Sequence, residues 1–143
     1  MVYGDDSRDK DKLIELYAQE LDCAQMDLKY VGLLLDDNLI ENSLEYYKIK
    51  RLYIYGASYL GVLMARMLKG KVDVSALIDK SKGAKIQIPD VKVLGIDDFC
   101  NVYDNEYVII TLGNYYDEIK RDLHSFVPVE KMLLLGEFLG GER

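Results

Sequence analysis

Two features of this chain could do chemistry by residue type and spacing. One is the run Gly56-Ala57-Ser58-Tyr59-Leu60-Gly61, and the other is the acid Asp79 that follows it. A strand that feeds a helix through a tight glycine turn leaves the first N–H groups of that helix unpaired, and these attract phosphate. Gly56 permits the turn, and Gly61 lets the helix lie close against the strand. The position between them, where a pyrophosphate would approach the backbone, is Ser58. Its Cβ is costly wherever the backbone needs φ > 0, whereas its hydroxyl can itself donate to a phosphate. An acid placed as Asp79 is placed accepts hydrogen bonds from ribose hydroxyls, or it caps a turn ahead of Lys80 and Ser81; both readings stand.

A second segment, Thr111-Leu112-Gly113-Asn114, follows another apolar run and is expected at the same carboxyl edge of a sheet, where open α/β sheets hold their ligands. The candidate binding set is therefore Gly56, Ala57, Ser58, Tyr59, Leu60, Gly61, Asp79, Lys80, Thr111, Gly113 and Asn114. No catalytic residue is assigned. Tyr116 and Lys120 share the YxxxK spacing of carbonyl reductases, but so do Tyr46 and Lys50. With 12 tyrosines the spacing arises by chance, and a catalytic pair would need the right strand context. Cys23 and Cys100 form no CxxC motif and read as free, partly buried thiols, and His124 is the single histidine, so no metal site is expected.

The elements that must position these residues follow from periodicity. Ile14, Tyr17, Leu21, Ala24, Leu28, Val31 and Leu35 recur in alternating steps of three and four, the rhythm of a packed helix seam. That seam suits either a long helix packed on its own domain or a homodimer contact. Asp36 to Asn38 interrupt it, and a shorter helix is expected over about 39–47. From residue 51 the pattern becomes strand, helix, strand. Strands are expected at "RLYIY", "VDVSALID", 91–94, 107–111 and 131–135, with turns at Gly83, Pro89 and Gly95 and a short helix opening at "IDDF". Apolar residues on both faces of these strands suit a parallel sheet covered by helices. Asn114 is expected to cap a helix over "YYDEIKRDLHSF". The predicted fold is α/β, a doubly wound, mostly parallel five-stranded Rossmann-like sheet, with residues 1–49 as an acidic helical extension and 50–143 as the sheet domain.

Charge separates the two parts. Residues 1–49 hold 12 acidic and 5 basic side chains, a net of −7, and residues 50–143 hold 13 of each. An acidic arm on a neutral domain argues against nucleic acid and against anionic membrane surfaces. No apolar run reaches the ~18 residues of a membrane span, and the polar N-terminus does not resemble a signal peptide, so a cytoplasmic protein is expected.

The succession "RLYIYGASYLG", "VDVSALIDKSKG", "IQIPDVKVLGIDDF", "YVIITLG" and "MLLLGEF" resembles the small Rossmann-like domains of bacterial sugar-nucleotide and surface-polysaccharide proteins. It is similar to the N-terminal domain of sugar acyltransferases, and to domains attached to polysaccharide-linked methyltransferases and glycosyltransferases. The resemblance implies a nucleotide-sugar ligand at Gly56, Ala57, Ser58, Gly61 and Asp79. The hexapeptide repeats of the acylating half have no counterpart here. The same phrase also resembles the CoA- or NADH-binding domain of redox-sensing repressors, but those carry a basic DNA-binding arm where this chain is acidic. Three functions follow as expectations. The first is a non-catalytic nucleotide or nucleotide-sugar binding module. The second is a structural or oligomerisation module with a vestigial site. The third is a fragment of an NAD(P)-dependent enzyme, for whose substrate domain there is no room after residue 137.

Overall fold

In the computed structural model, residues 14, 28–57, 59–80 and 91–140 are described. Among the described residues before the sheet, residue 14 is helical, and helices α1 over 28–34 and α2 over Asp37–Tyr46 follow. Then come β1 (Arg51–Tyr55), α3 (Tyr59–Leu68), β2 (Asp73–Ile78), β3 (Val93–Leu94) and α4 (Ile96–Val102). β4 (Tyr107–Ile110), a 3-10 turn (Gly113–Tyr115), α5 (Tyr116–Leu123), a second 3-10 turn (Val129–Lys131), β5 (Met132–Leu134) and α6 (Leu135–Phe138) complete the order. The sheet runs β3-β2-β1-β4-β5 with every pairing parallel. This is the expected doubly wound α/β fold. The chain reverses its direction across the sheet between β1 and β4, so the switch point lies at their carboxyl ends.

The alternation of side chains along the strands builds a core on each face. Leu52, Ile54, Leu77, Ile109 and Leu133 point to one face, where they meet Leu34 of α1, Ile40 and Leu44 of α2, Met64 and Leu68 of α3 and Phe138 of α6. Tyr53, Tyr55, Ala76, Ile78, Val108, Ile110 and Met132 point to the other, against Phe99 of α4 and Ile119 and Leu123 of α5. Phe99 and Phe138 are fully buried, and each stabilises the fold by roughly 3 kcal/mol on transfer from water.

Several local expectations are corrected. The break at Asp36 is real, and its cause is a cap: the Asp36 side chain accepts from the Leu39 amide at 3.1 Å, which starts α2 two residues earlier than its periodicity suggests. Asn114 is not at the N-cap position of α5: it lies inside the first 3-10 turn, and Tyr115 holds that position. Residue 135 begins a helix instead of ending a strand. Cys100 is exposed, not partly buried. Cys23 and the turns expected at Gly83 and Pro89 lie outside the described residues.

Of the seam residues that are described, only Val31 packs on the domain, and the other three face away from it. Ile14, Leu28 and Leu35 are 65%, 71% and 59% exposed. The packed side of α1 is instead formed by Leu34, which is fully buried, with Tyr30, Val31 and Leu33 half-buried beside it. Tyr17, Leu21 and Ala24 lie outside the described residues. Among the described residues no helix is long and apolar enough to cross a membrane.

Candidate functional site

The turn after β1 is built around two glycines whose missing side chains make room for protein atoms. Gly56 has φ +114°, its amide donates to the Ile78 carbonyl at 2.8 Å, and a Cβ on it would stand 2.5 Å from Thr111 Oγ1. A Cβ on Gly61 would overlap the carbonyl oxygen of Gly56 itself. This is the close strand–helix packing for which a glycine is required. The two glycines are thus accounted for by contacts inside the fold, whether or not anything binds. Ala57 is buried directly after the turn, Tyr59 opens α3, and Leu60 points into the core. Ser58 lies outside the described residues.

Asp79 and Lys80 follow β2, and the Asp79 amide continues the pairing to β3 through the Leu94 carbonyl at 2.9 Å. With Gly56 and Tyr55 they line a cavity of about 210 Å³ on the α5 face of the switch point. Lys80 reaches across it to α5, placing its ammonium 3.1 Å from Glu118 Oε1 and 3.4 Å from Asp122 Oδ2. The Asp122 oxygen is buried and has this ion-pair partner without hydrogen-bond geometry. These two carboxylates hold the Lys80 pKa above the usual lysine value. The floor of the cavity is Tyr55, 3% exposed. Burial, with the Asp122 charge second, pushes its phenol up to about 12, so it stays a neutral hydroxyl at pH 7. Three carboxylates and one ammonium thus border the cavity. A ribose or another polyol finds acceptors there, and a phosphate must be served by the backbone N–H groups at the start of α3 or by Lys80 drawn off α5.

Thr111 and Gly113, also in the predicted set, are not in that cavity. Thr111 is buried, donates its hydroxyl to the Tyr55 carbonyl at 2.9 Å, and with Gly113 faces the opposite side of the sheet. There they line a second cavity of about 490 Å³, walled by α1 and α6. Leu112, between them, lines the Asp79 side. The predicted set is therefore two sets, divided by the Gly56–Thr111 contact. Period-two alternation continued from Ile109 puts Thr111 and Gly113 on one face and Leu112 on the other, but says nothing of a cavity on either. No sequence signal marks α1 and α6 as the opposing walls. Glu118 and Asp122, which hold Lys80, are not in the sequence-derived set. They stand four apart on α5, so they share the helix face that looks back to β2.

A wider hollow of about 600 Å³ lies at the amino edge, between α2 and the end of α3, lined by Lys48, Lys50, Lys71 and Glu41. Lys71 is paired there with Glu41 at 3.3 Å and Asp37 at 3.5 Å, and the hollow is a solvated ion-pair surface away from the switch point.

The Tyr116–Lys120 spacing has a structural explanation. Lys120 sits over the Tyr116 ring at 5.7 Å, as a cation one turn further along α5. Burial raises the Tyr116 pKa, whereas a proton-donating tyrosine of a reductase needs it lowered. His124 is on the surface, its Nδ1 against the Arg121 carbonyl, and the described residues hold no cluster of three metal-ligating groups. No family model and no curated protein matches this chain.

Proposed function

We propose that this chain is a non-catalytic binding module for a nucleotide-type ligand, a nucleotide-sugar in the first instance, acting in a bacterial sugar-nucleotide or surface-polysaccharide pathway. The observation that carries the reading is the meeting of the Gly56 turn and Asp79 in one cavity at the β1/β4 switch point. Asp79 takes the ribose hydroxyls, and the start of α3 takes the first phosphate. The pathway rests on the resemblance of the strand and turn phrases alone. A thermal-shift panel of UDP-sugars, NAD(H), NADP(H) and CoA tests the binding. A ligand at a hundredfold excess over its Kd stabilises the fold by about 2.7 kcal/mol, and Asp79→Ala should remove that gain. A panel in which nothing moves the transition rejects the reading.

A second reading, a structural or homodimerising module, is favoured by one observation: Ile14, Leu28 and Leu35 keep the three-four rhythm and are all exposed. Leu28→Glu with Leu35→Glu should halve the mass seen by light scattering if this stripe holds a dimer. An unchanged mass removes it.

A further inference from the structure

The larger cavity at the carboxyl edge is not the one that holds Asp79. It lies on the other side of the Gly56–Thr111 contact, under α1, and its volume of about 490 Å³ falls within the range of small-molecule sites. Its chemistry differs from that of its neighbour. Leu33, Leu39, Leu134 and Leu139 make aliphatic walls, and Tyr30 is the one aromatic residue among the lining side chains. Among its described lining residues the cavity has a single carboxylate, Glu137, and this is engaged, because its Oε1 accepts from the Leu134 amide at 3.3 Å. The one cation among those residues, Lys29, is exposed and enters no ion pair among the described residues. Gly136 adds space for Tyr30, since a Cβ there would stand 3.1 Å from the Tyr30 hydroxyl.

We infer that this cavity is a binding site for an amphiphile with an aliphatic body and one anionic head, the chain lying among the leucines and the head meeting Lys29. Aliphatic walls favour a flexible chain over a flat base, which would look for an aromatic surface to stack on. An exposed ammonium with no ion pair among the described residues, beside a carboxylate already held by a backbone amide, favours an anionic head over a cationic one. The site is independent of the nucleotide reading, since the two cavities share none of the described lining residues.

The test uses the full chain, amide-resolved NMR titrations and four probes: hexanoate, octanoate, octanol and octylamine. Octanoate should shift the Gly113 and Gly136 amides, and affinity should rise about fourfold per methylene from hexanoate to octanoate. Octylamine should bind about tenfold more weakly than octanoate, and Lys29→Glu should reverse that order. Leu33→Trp should occlude the site, and Leu39→Trp from the opposite wall gives the same readout if the first variant fails to fold. Asp79→Ala should leave octanoate binding unchanged, so loss of nucleotide binding and loss of this site are told apart. Three outcomes overturn the inference. They are equal affinity for octanoate and octylamine, shifts confined to the residues around Asp79, and unmoved Gly113 and Gly136 amides at millimolar octanoate.

Discussion

The turns after β1 and β4 leave adjacent parallel strands at the same edge of the sheet, and both contain glycine. They use it in opposite ways. Gly56 and Gly61 are held by the protein's own atoms, one at a positive φ against Thr111 and one against the backbone of the other. Gly113 has nothing within 4 Å of where its Cβ would be, and it is exposed. A glycine turn between strand and helix therefore does not announce a ligand here. Two of its glycines are satisfied by packing. What suggests binding is the side chains beside them, Asp79 and Lys80 on one side and the apolar hollow under α1 on the other.

The comparison can be broken most forcefully at Gly61. Gly61→Ala should cost about 3 kcal/mol or more, although alanine is the better helix former, because the obstacle is a backbone oxygen that cannot rotate away. A urea midpoint close to the wild type would show that α3 can move off β1. Gly56→Ala should follow at roughly 2–3 kcal/mol, combining a left-handed backbone with the Thr111 hydroxyl. In the double variant with Thr111→Ala the two losses should fall short of additive, since the clash is removed and only the backbone strain remains. Strict additivity would mean that Thr111 is not what Gly56 accommodates.

The third expected effect separates the two cavities by pH. The Tyr55 phenol is raised in the folded state, so the folded chain keeps a proton that the unfolded chain loses above pH 10. Stability is fully present below about pH 10 and falls as pH rises towards 12, on the order of 2–3 kcal/mol from this residue. Tyr55→Phe should flatten the alkaline part of the stability profile. Tyr103, Tyr53 and Tyr116 are raised by burial as well and will leave a residual slope. A profile unchanged by the substitution would place the alkaline loss elsewhere. The smallest effects are expected on the β4 side. Thr111→Ala alone should cost about 1 kcal/mol for its hydrogen bond to the Tyr55 carbonyl, and Gly113→Ala should stay within about 0.5 kcal/mol.

Much of this architecture can be read directly from residue types. "RLYIY", "DVSALI" and "YVII" are β-rich runs that are apolar on both faces, and such runs are stable only inside a parallel sheet. The role of Gly61 follows from its spacing after β1. Less legible were the features that depend on a partner distant in sequence. The heptad rhythm of the first third picks out one stripe among further apolar residues that include Leu33 and Leu34, and it is Leu34, off that stripe, that is fully buried against the core, with Val31 of the stripe beside it. Rhythm specifies that a helix has an apolar side, whereas the shape of the sheet surface decides which side is accepted. Asn114 has the right chemistry for a cap and misses the position, because the backbone leaving β4 first tightens into a 3-10 turn.

Local spacing and hydropathy alone determined the parallel α/β sheet, the glycine turn after β1 and the acid after β2, because each is specified within a few residues of chain. Only the tertiary structure decided that the carboxyl edge carries two cavities of unlike chemistry instead of one. That outcome rests on Thr111 being pinned to the Tyr55 carbonyl against Gly56, on α5 turning Glu118 and Asp122 towards Lys80, and on α1 closing over the far side. Each is a contact between segments tens of residues apart. Such contacts exist once the core has set the helices in place, and a local pattern has no means of encoding them.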